Sequence, residues 1–137
     1  MKKWLISFGV IVIFGIISGC TKYTTPSKVS RRIINDSWTI SSFTIDGQSV
    51  TSNYSGYTFA FEDGGGITVK AVAAGFSATG AWKMGLVKNP AILYLSFAPG
   101  GGLEYLADDW QVVEMQKSLM RLKRNDSGGN ATVTFTK

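Results

Sequence analysis

The chain has 137 residues, with 14 Lys/Arg, 9 Asp/Glu and no histidine, for a formal net charge of +5. That length suits one domain, and the missing histidine removes the commonest general base and the commonest metal ligand together. Cys20 is the single cysteine, so an internal disulfide is excluded and stability has to come from burying apolar surface.

The first predicted element is a targeting segment. Lys2 and Lys3 precede an apolar run from Trp4 to Ile17, broken only by Ser7, Gly9 and Gly15, and Ser18-Gly19-Cys20 closes it. A charged start, an apolar middle and a small-residue end are the parts of a secretory signal peptide. The run falls short of the roughly 20 apolar residues of a comfortable transmembrane helix. Ile17-Ser18-Gly19-Cys20 resembles the bacterial lipoprotein signal, or lipobox (Leu-Ala/Ser-Gly/Ala-Cys), with Ile17 in place of the usual Leu. The resemblance implies cleavage before Cys20, a diacylglycerol thioether on its sulfur, and usually a third acyl chain on its new amino group. Two or more chains make membrane attachment stable. Removing residues 1–19 takes Lys2 and Lys3 away and leaves a net charge of +3. Nucleic acid is not an expected partner at that charge in an exported protein.

Residues 20–35 read as a polar tether followed by a short helix. Pro26 is tolerated at a first helical position, and Thr25 can cap it. Val29, Ile33 and Ile34 then share a face suited to covering one end of a barrel or sheet, and Asn35-Asp36 ends the helix. Arg31 and Arg32 read as a solvated helix face, with contact to acidic lipid headgroups as the alternative.

From Trp38 the pattern changes to short strands separated by turns, over a domain spanning residues 36–137. Trp38-Thr39-Ile40 alternates, slips phase at Ser41-Ser42 and resumes at Phe43-Thr44-Ile45, which predicts a bulge. Asp46-Gly47 makes a turn. Strands follow over 57–61, 67–71, 76–83, 91–97, 110–115, the segment around Met120 and Leu122, and 132–136. Residues 103–109 lack strand character and read as a helical turn. Eight sequential strands joined by short turns predict an antiparallel up-and-down barrel, which leaves no edge exposed. A β-sandwich is the alternative. At this strand number the interior is packed or holds one small ligand.

The lipobox, the short linker and Trp38-Thr39-Ile40-Ser41-Ser42-Phe43-Thr44-Ile45-Asp46-Gly47 together resemble the small lipocalin-like lipoproteins of Bacteroidota. Tyr57-Thr58-Phe59-Ala60-Phe61 before an acidic Gly-rich turn, Thr79-Gly80-Ala81-Trp82, and Asp108-Asp109-Trp110-Gln111-Val112-Val113 carry the resemblance further. It covers nearly all of the chain after Cys20 and implies a lipocalin-like (calycin-type) barrel with no established activity. Lipocalins proper open with Gly-x-Trp, where this chain has Asp36-Ser37-Trp38. The arginine that packs on that Trp in the family has no assignable counterpart, and the chain is shorter than a typical lipocalin. These departures weigh against a roomy ligand cup.

The residues do not point to catalysis. With no histidine and Cys20 acylated, a hydrolytic site needs paired carboxylates or a Ser-Lys arrangement. Glu62-Asp63 and Asp108-Asp109 are adjacent in sequence, so strand alternation sends each pair to opposite faces. Asp126-Ser127-Gly128-Gly129-Asn130 lacks the spaced acids of a calcium loop. Gly64-Gly65-Gly66 and Gly100-Gly101-Gly102 lack phosphate-loop spacing and read as turns. No metal and no cofactor is expected. Lys117, Arg121, Lys123 and Arg124 read as solubilising charges on one hairpin, or else a stripe facing anionic lipid or polysaccharide.

Binding remains, in two forms. In the first, a barrel mouth holds a small hydrophobic ligand against Trp38, Phe59, Trp82 and Trp110, each of which is equally a candidate core residue. In the second, a filled barrel is a scaffold whose loops 48–56 and 98–109 engage another envelope protein, with Tyr54 and Tyr105 as interface residues. Thr21 follows Cys20, and the first acid after it is Asp36. By the family resemblance this favours the periplasmic face of the outer membrane over its outer surface.

Overall fold

The computed structural model describes residues 24–124 and 130–137. The signal segment, Cys20 and most of the 126–130 turn lie outside the described residues.

Helix α1, Pro26–Ile33, starts where cap chemistry dictates: Thr25 has extended backbone, and its side chain accepts from the Lys28 N–H at 3.2 Å. Val29 and Ile33 are buried and Ile34 packs partly against them. Asp36 ends the segment in a left-handed conformation, φ 63°. That conformation favours glycine, and Asp tolerates it better than most side chains.

Among the described residues nine strands follow: β1 Thr39–Ile45, β2 Gln48–Ser49, β3 Thr58–Phe61, β4 Gly66–Ala71, β5 Phe76–Met84, β6 Ile92–Phe97, β7 Asp109–Met115, β8 Leu119–Arg124 and β9 Ala131–Thr136. The predicted count of eight is corrected by β2. Asp46 and Gly47 both take positive φ (49° and 79°), so the chain doubles back tightly and pairs for two residues. All nine lie in one antiparallel sheet of order β2-β1-β9-β8-β7-β6-β5-β4-β3. A single sheet rules out the sandwich.

The sheet curls until its far edge meets its start. Trp38 and Phe59 exchange both backbone hydrogen bonds at 2.8 Å, joining the approach to β1 with β3. The result is a curled half-barrel, closed at one bridge. Two bulges help it curl. Ser41 is the extra residue predicted in β1, and Val113 is a second in β7. Each lets flanking residues of mismatched parity face inward: Ile40 with Phe43, and Val112 with Met115. Gly80 allows a close approach inside the sheet, where a Cβ would lie 2.4 Å from the Phe97 ring.

Antiparallel pairing sorts the connections into two rims. The helix rim carries α1, the 62–65 turn, the 85–91 loop, the 116–118 turn and Lys137. The opposite rim carries the 46–47 turn, the short 3-10 turns Thr51–Tyr54, Val72–Ala74 and Leu103–Tyr105, and the 98–108 loop.

Candidate functional site

A ligand cup would need empty space among the inward aromatics. Trp38, Phe59 and Trp110 are fully buried, as are Phe43 and Phe135 between them. Phe59 meets Phe135 edge-on at 5.3 Å between centroids, and Phe43 meets Trp110 at 6.2 Å and Tyr54 at 5.3 Å. Such rings are in ordinary packing contact. Trp82 is only partly buried, at the helix rim, where its indole N–H donates to the Glu62 carbonyl at 2.9 Å. None of the four lines either of the two recesses described next. Among the described residues no charged side chain is buried, and the polar atoms of the buried Trp38, Tyr54 and Trp110 are hydrogen-bonded.

Each buried tryptophan ties down the segment that plugs its end. At the helix rim, the Trp38 indole N–H donates to the Ile33 carbonyl at 2.9 Å, on the last turn of α1. The Lys137 ammonium lies 4.4 Å from the Trp38 ring centroid and within 3.4 Å of the Arg32 carbonyl. No arginine occupies this place on Trp38; Lys137 does, and β1–β9 pairing puts it there. Arg32 in turn donates to the Met115 carbonyl at 3.0 Å. Outside this plug lies an open groove of about 920 Å³ lined by Arg31, Arg32, Asp36, Lys117 and Lys137, among others.

At the opposite rim, the Trp110 indole N–H donates to the Leu106 carbonyl at 2.8 Å, and Leu103 and Leu106 are buried beneath. The Arg124 guanidinium lies 5.7 Å from the Trp110 ring, and its Nε is 2.8 Å from Asp108 Oδ2. A recess of about 460 Å³ is lined here by Ile45, Gln48, Val50, Asn53, Tyr54 and Tyr105. The structure thus brings Tyr54 and Tyr105 together, but in different roles.

Tyr54 is a correction to the interface reading. Its side chain is 2 % exposed, and its hydroxyl donates to the Gly102 carbonyl at 2.6 Å, so it is a strut under the 98–108 loop. Burial, followed by the Glu104 carboxylate, pushes its phenol well above the ordinary tyrosine value. Tyr105 is 54 % exposed and available. Tyr57 is a second strut that the sequence reading missed. Its hydroxyl donates to the Gly101 carbonyl at 2.9 Å and its ring stacks on Phe76 at 5.5 Å. In sequence it is one aromatic in an alternating strand, with nothing to mark the loop above it.

The acidic pairs do not converge. Glu62 accepts from the Thr68 hydroxyl at 3.0 Å, and Asp108 is engaged by Arg124. The basic hairpin is divided as well: Arg121 pairs with Glu114 at 2.8 Å, Arg124 with Asp108, and Lys117 joins the helix-rim groove. The glycine triplets are turns, with Gly64, Gly65 and all of Gly100, Gly101 and Gly102 at positive φ. Among the described residues no cluster of three or more metal-ligating side chains occurs.

No protein-family model matches the sequence, and no curated protein is significantly similar to it. Among solved structures, the fold is similar to that of a lipocalin-like protein from Bacteroides uniformis ATCC 8492. That likeness has 16 % identity and a TM-score of 0.49, over 77 % of this chain and 98 % of that one.

Proposed function

We propose that this protein is a non-catalytic binding module of the cell envelope, anchored through lipidated Cys20, whose barrel is filled and whose contacts are made by its surface. The observation that carries the reading is the interior itself. Trp38, Phe43, Phe59, Trp110 and Phe135 occupy it with no measurable exposure, and both buried indole N–H groups are satisfied by plug backbone. A solid core favours the scaffold reading over the small-ligand cup. The lipobox residues support anchoring, and the absence of an acid between Cys20 and Asp36 supports the periplasmic leaflet of the outer membrane. The surface for an envelope partner is the rim around Tyr105, which stands exposed beside the 460 Å³ recess.

Native mass spectrometry of protein purified from its own host tests the core reading. The polypeptide with its Cys20 acyl chains, and no further mass, is the expected species. A second lipid-sized mass released on gentle activation would restore the cup. A photo-crosslinker placed at position 105 should capture an envelope protein in intact cells. Failure to capture one, with capture from another exposed position, would move the partner surface elsewhere.

A further inference from the structure

The geometry points to a second membrane contact, in which the 85–91 loop seats Leu86 and Val87 at the headgroup–acyl boundary of an anionic leaflet. The proposal rests on the anchoring of Cys20 and adds to it: the acyl chains hold the protein to the bilayer, and this loop orients it.

Leu86 is 100 % exposed and Val87 60 %, side by side at the tip of the loop. Single exposed apolar residues are ordinary, but an adjacent pair at a projecting tip has an unmet partner. The loop is closed at its base. There the Gly85 N–H donates to the Ile92 carbonyl at 2.8 Å, and the Gly85 backbone crosses close against the Tyr94 ring. The tip is also framed as a membrane-surface element would be. Lys83 and Lys88 flank it, and the Lys83 ammonium lies 5.3 Å from the Tyr94 ring centroid. Apolar tips with lysine and tyrosine at their roots suit the layer between water and hydrocarbon.

Charge and connectivity choose the occupant. The loop lies on the helix rim, the end at which the chain enters from Cys20. Pro26 follows Cys20 by six positions, a reach of at most about 22 Å when fully extended. That rim presents Arg31, Arg32, Lys83, Lys88, Lys117 and Lys137 against Asp36, Glu62 and Asp63. The opposite rim is balanced, with Asp46, Glu104 and Asp108 against Lys70, Lys123 and Arg124, while Asp109 pairs across from Tyr94 on the loop's side of the sheet. An anionic bilayer attracts the first face and finds no net charge to attract on the second. Attraction of this kind acts within about 8 Å at physiological salt, so it operates once the tether has brought the rim down.

The test uses the lipidated protein carrying Leu86→Cys, labelled with an environment-sensitive thiol fluorophore. A Val72→Cys variant labelled in the same way is the control, because Val72 is 86 % exposed on the opposite rim. On vesicles of phosphatidylethanolamine and phosphatidylglycerol, the label at position 86 should shift to the blue and brighten several-fold. It should also be quenched by nitroxide lipids and protected from iodide, while the label at 72 stays aqueous. Vesicles of phosphatidylcholine alone, or Lys83→Glu with Lys88→Glu, should remove most of that response. An aqueous signal at 86, equal to that at 72, would overturn the proposal, and so would an equal shift on zwitterionic vesicles. A shift without vesicles that grows with protein concentration would assign the loop to a second copy of the chain and also overturn it. The anchoring premise is read separately. A lipidated Cys20 leaves the unsubstituted chain unlabelled by the thiol probe; labelling there would refute the premise, whereas no labelling there with an aqueous signal at 86 would refute the loop contact alone.

Discussion

The two rims of this barrel are closed by the same device and left with opposite surfaces. At each, a fully buried tryptophan donates its indole N–H to the backbone of the plugging segment, Ile33 on one side and Leu106 on the other. At each, a basic side chain lies over the ring, Lys137 on Trp38 and Arg124 on Trp110. The difference is the counter-ion. Arg124 is held by Asp108 at 2.8 Å, whereas Lys137 has backbone and ring for company and keeps its charge for the groove outside. One closure is therefore electrically spent inside the fold, and the other projects outward. The same packing solution thus leaves one rim with its cation turned outward and the other with its cation paired.

The comparison is most directly broken at the tryptophans. Trp38→Ala and Trp110→Ala should each cost about 3–5 kcal/mol, because each empties a large, fully buried volume. Urea denaturation measures the loss. Hydrogen exchange should then separate the ends, with α1 amides losing protection only in Trp38→Ala. An equal loss in both variants would mean that the plugs are not held independently.

A smaller effect is expected at the Tyr54 strut. Tyr54→Phe removes the hydroxyl bonded to Gly102 and should cost about 1 kcal/mol at neutral pH. It also has a pH signature. The unfolded chain ionises its tyrosine near about pH 10, and burial holds the folded phenol protonated beyond that. The stability tied to this group is thus complete below that pH and is lost as pH rises above it. Alkaline unfolding should be shallower in Tyr54→Phe than in the parent chain, and identical pH profiles would show that the ring is wetter than the structure has it.

The smallest effect sharpens the contrast in counter-ions. Lys137→Ala removes a surface cation–π contact worth about 0.5 kcal/mol. A thermal melt should record a slight fall that salt barely changes, since a ring rather than a carboxylate is the partner. Arg124→Ala should cost more, because Asp108, only 24 % exposed, would be left without its partner.

Much of this was legible in the residues, and the parts that were not share a cause. The cap at Thr25, the turn at Asp46-Gly47 and the bulge at Ser41 all have local chemistry: a side-chain acceptor, positive φ, and a polar residue that breaks phase. The second bulge, at Val113, left no such mark, because an extra apolar residue beside Val112 looks like a denser strand. Strand β2 is too short to alternate. For the aromatic quartet, sequence placed all four in or beside the barrel but could not say whether their neighbours fill the space between them. That depends on Phe43, Phe135 and Tyr54 arriving from strands and loops far apart in the chain. Tyr54 read as an exposed loop residue because loops are usually exposed, and only the Gly102 carbonyl above it shows otherwise.

Periodicity and turn chemistry were enough to establish a small β-meander, since those properties depend on neighbours along the chain. Whether the barrel is solid, which cation rests on which tryptophan, and which rim carries the positive face were decided when the sheet curled and Trp38 met Phe59. Those outcomes depend on contacts between distant residues, and the closing of the sheet creates them.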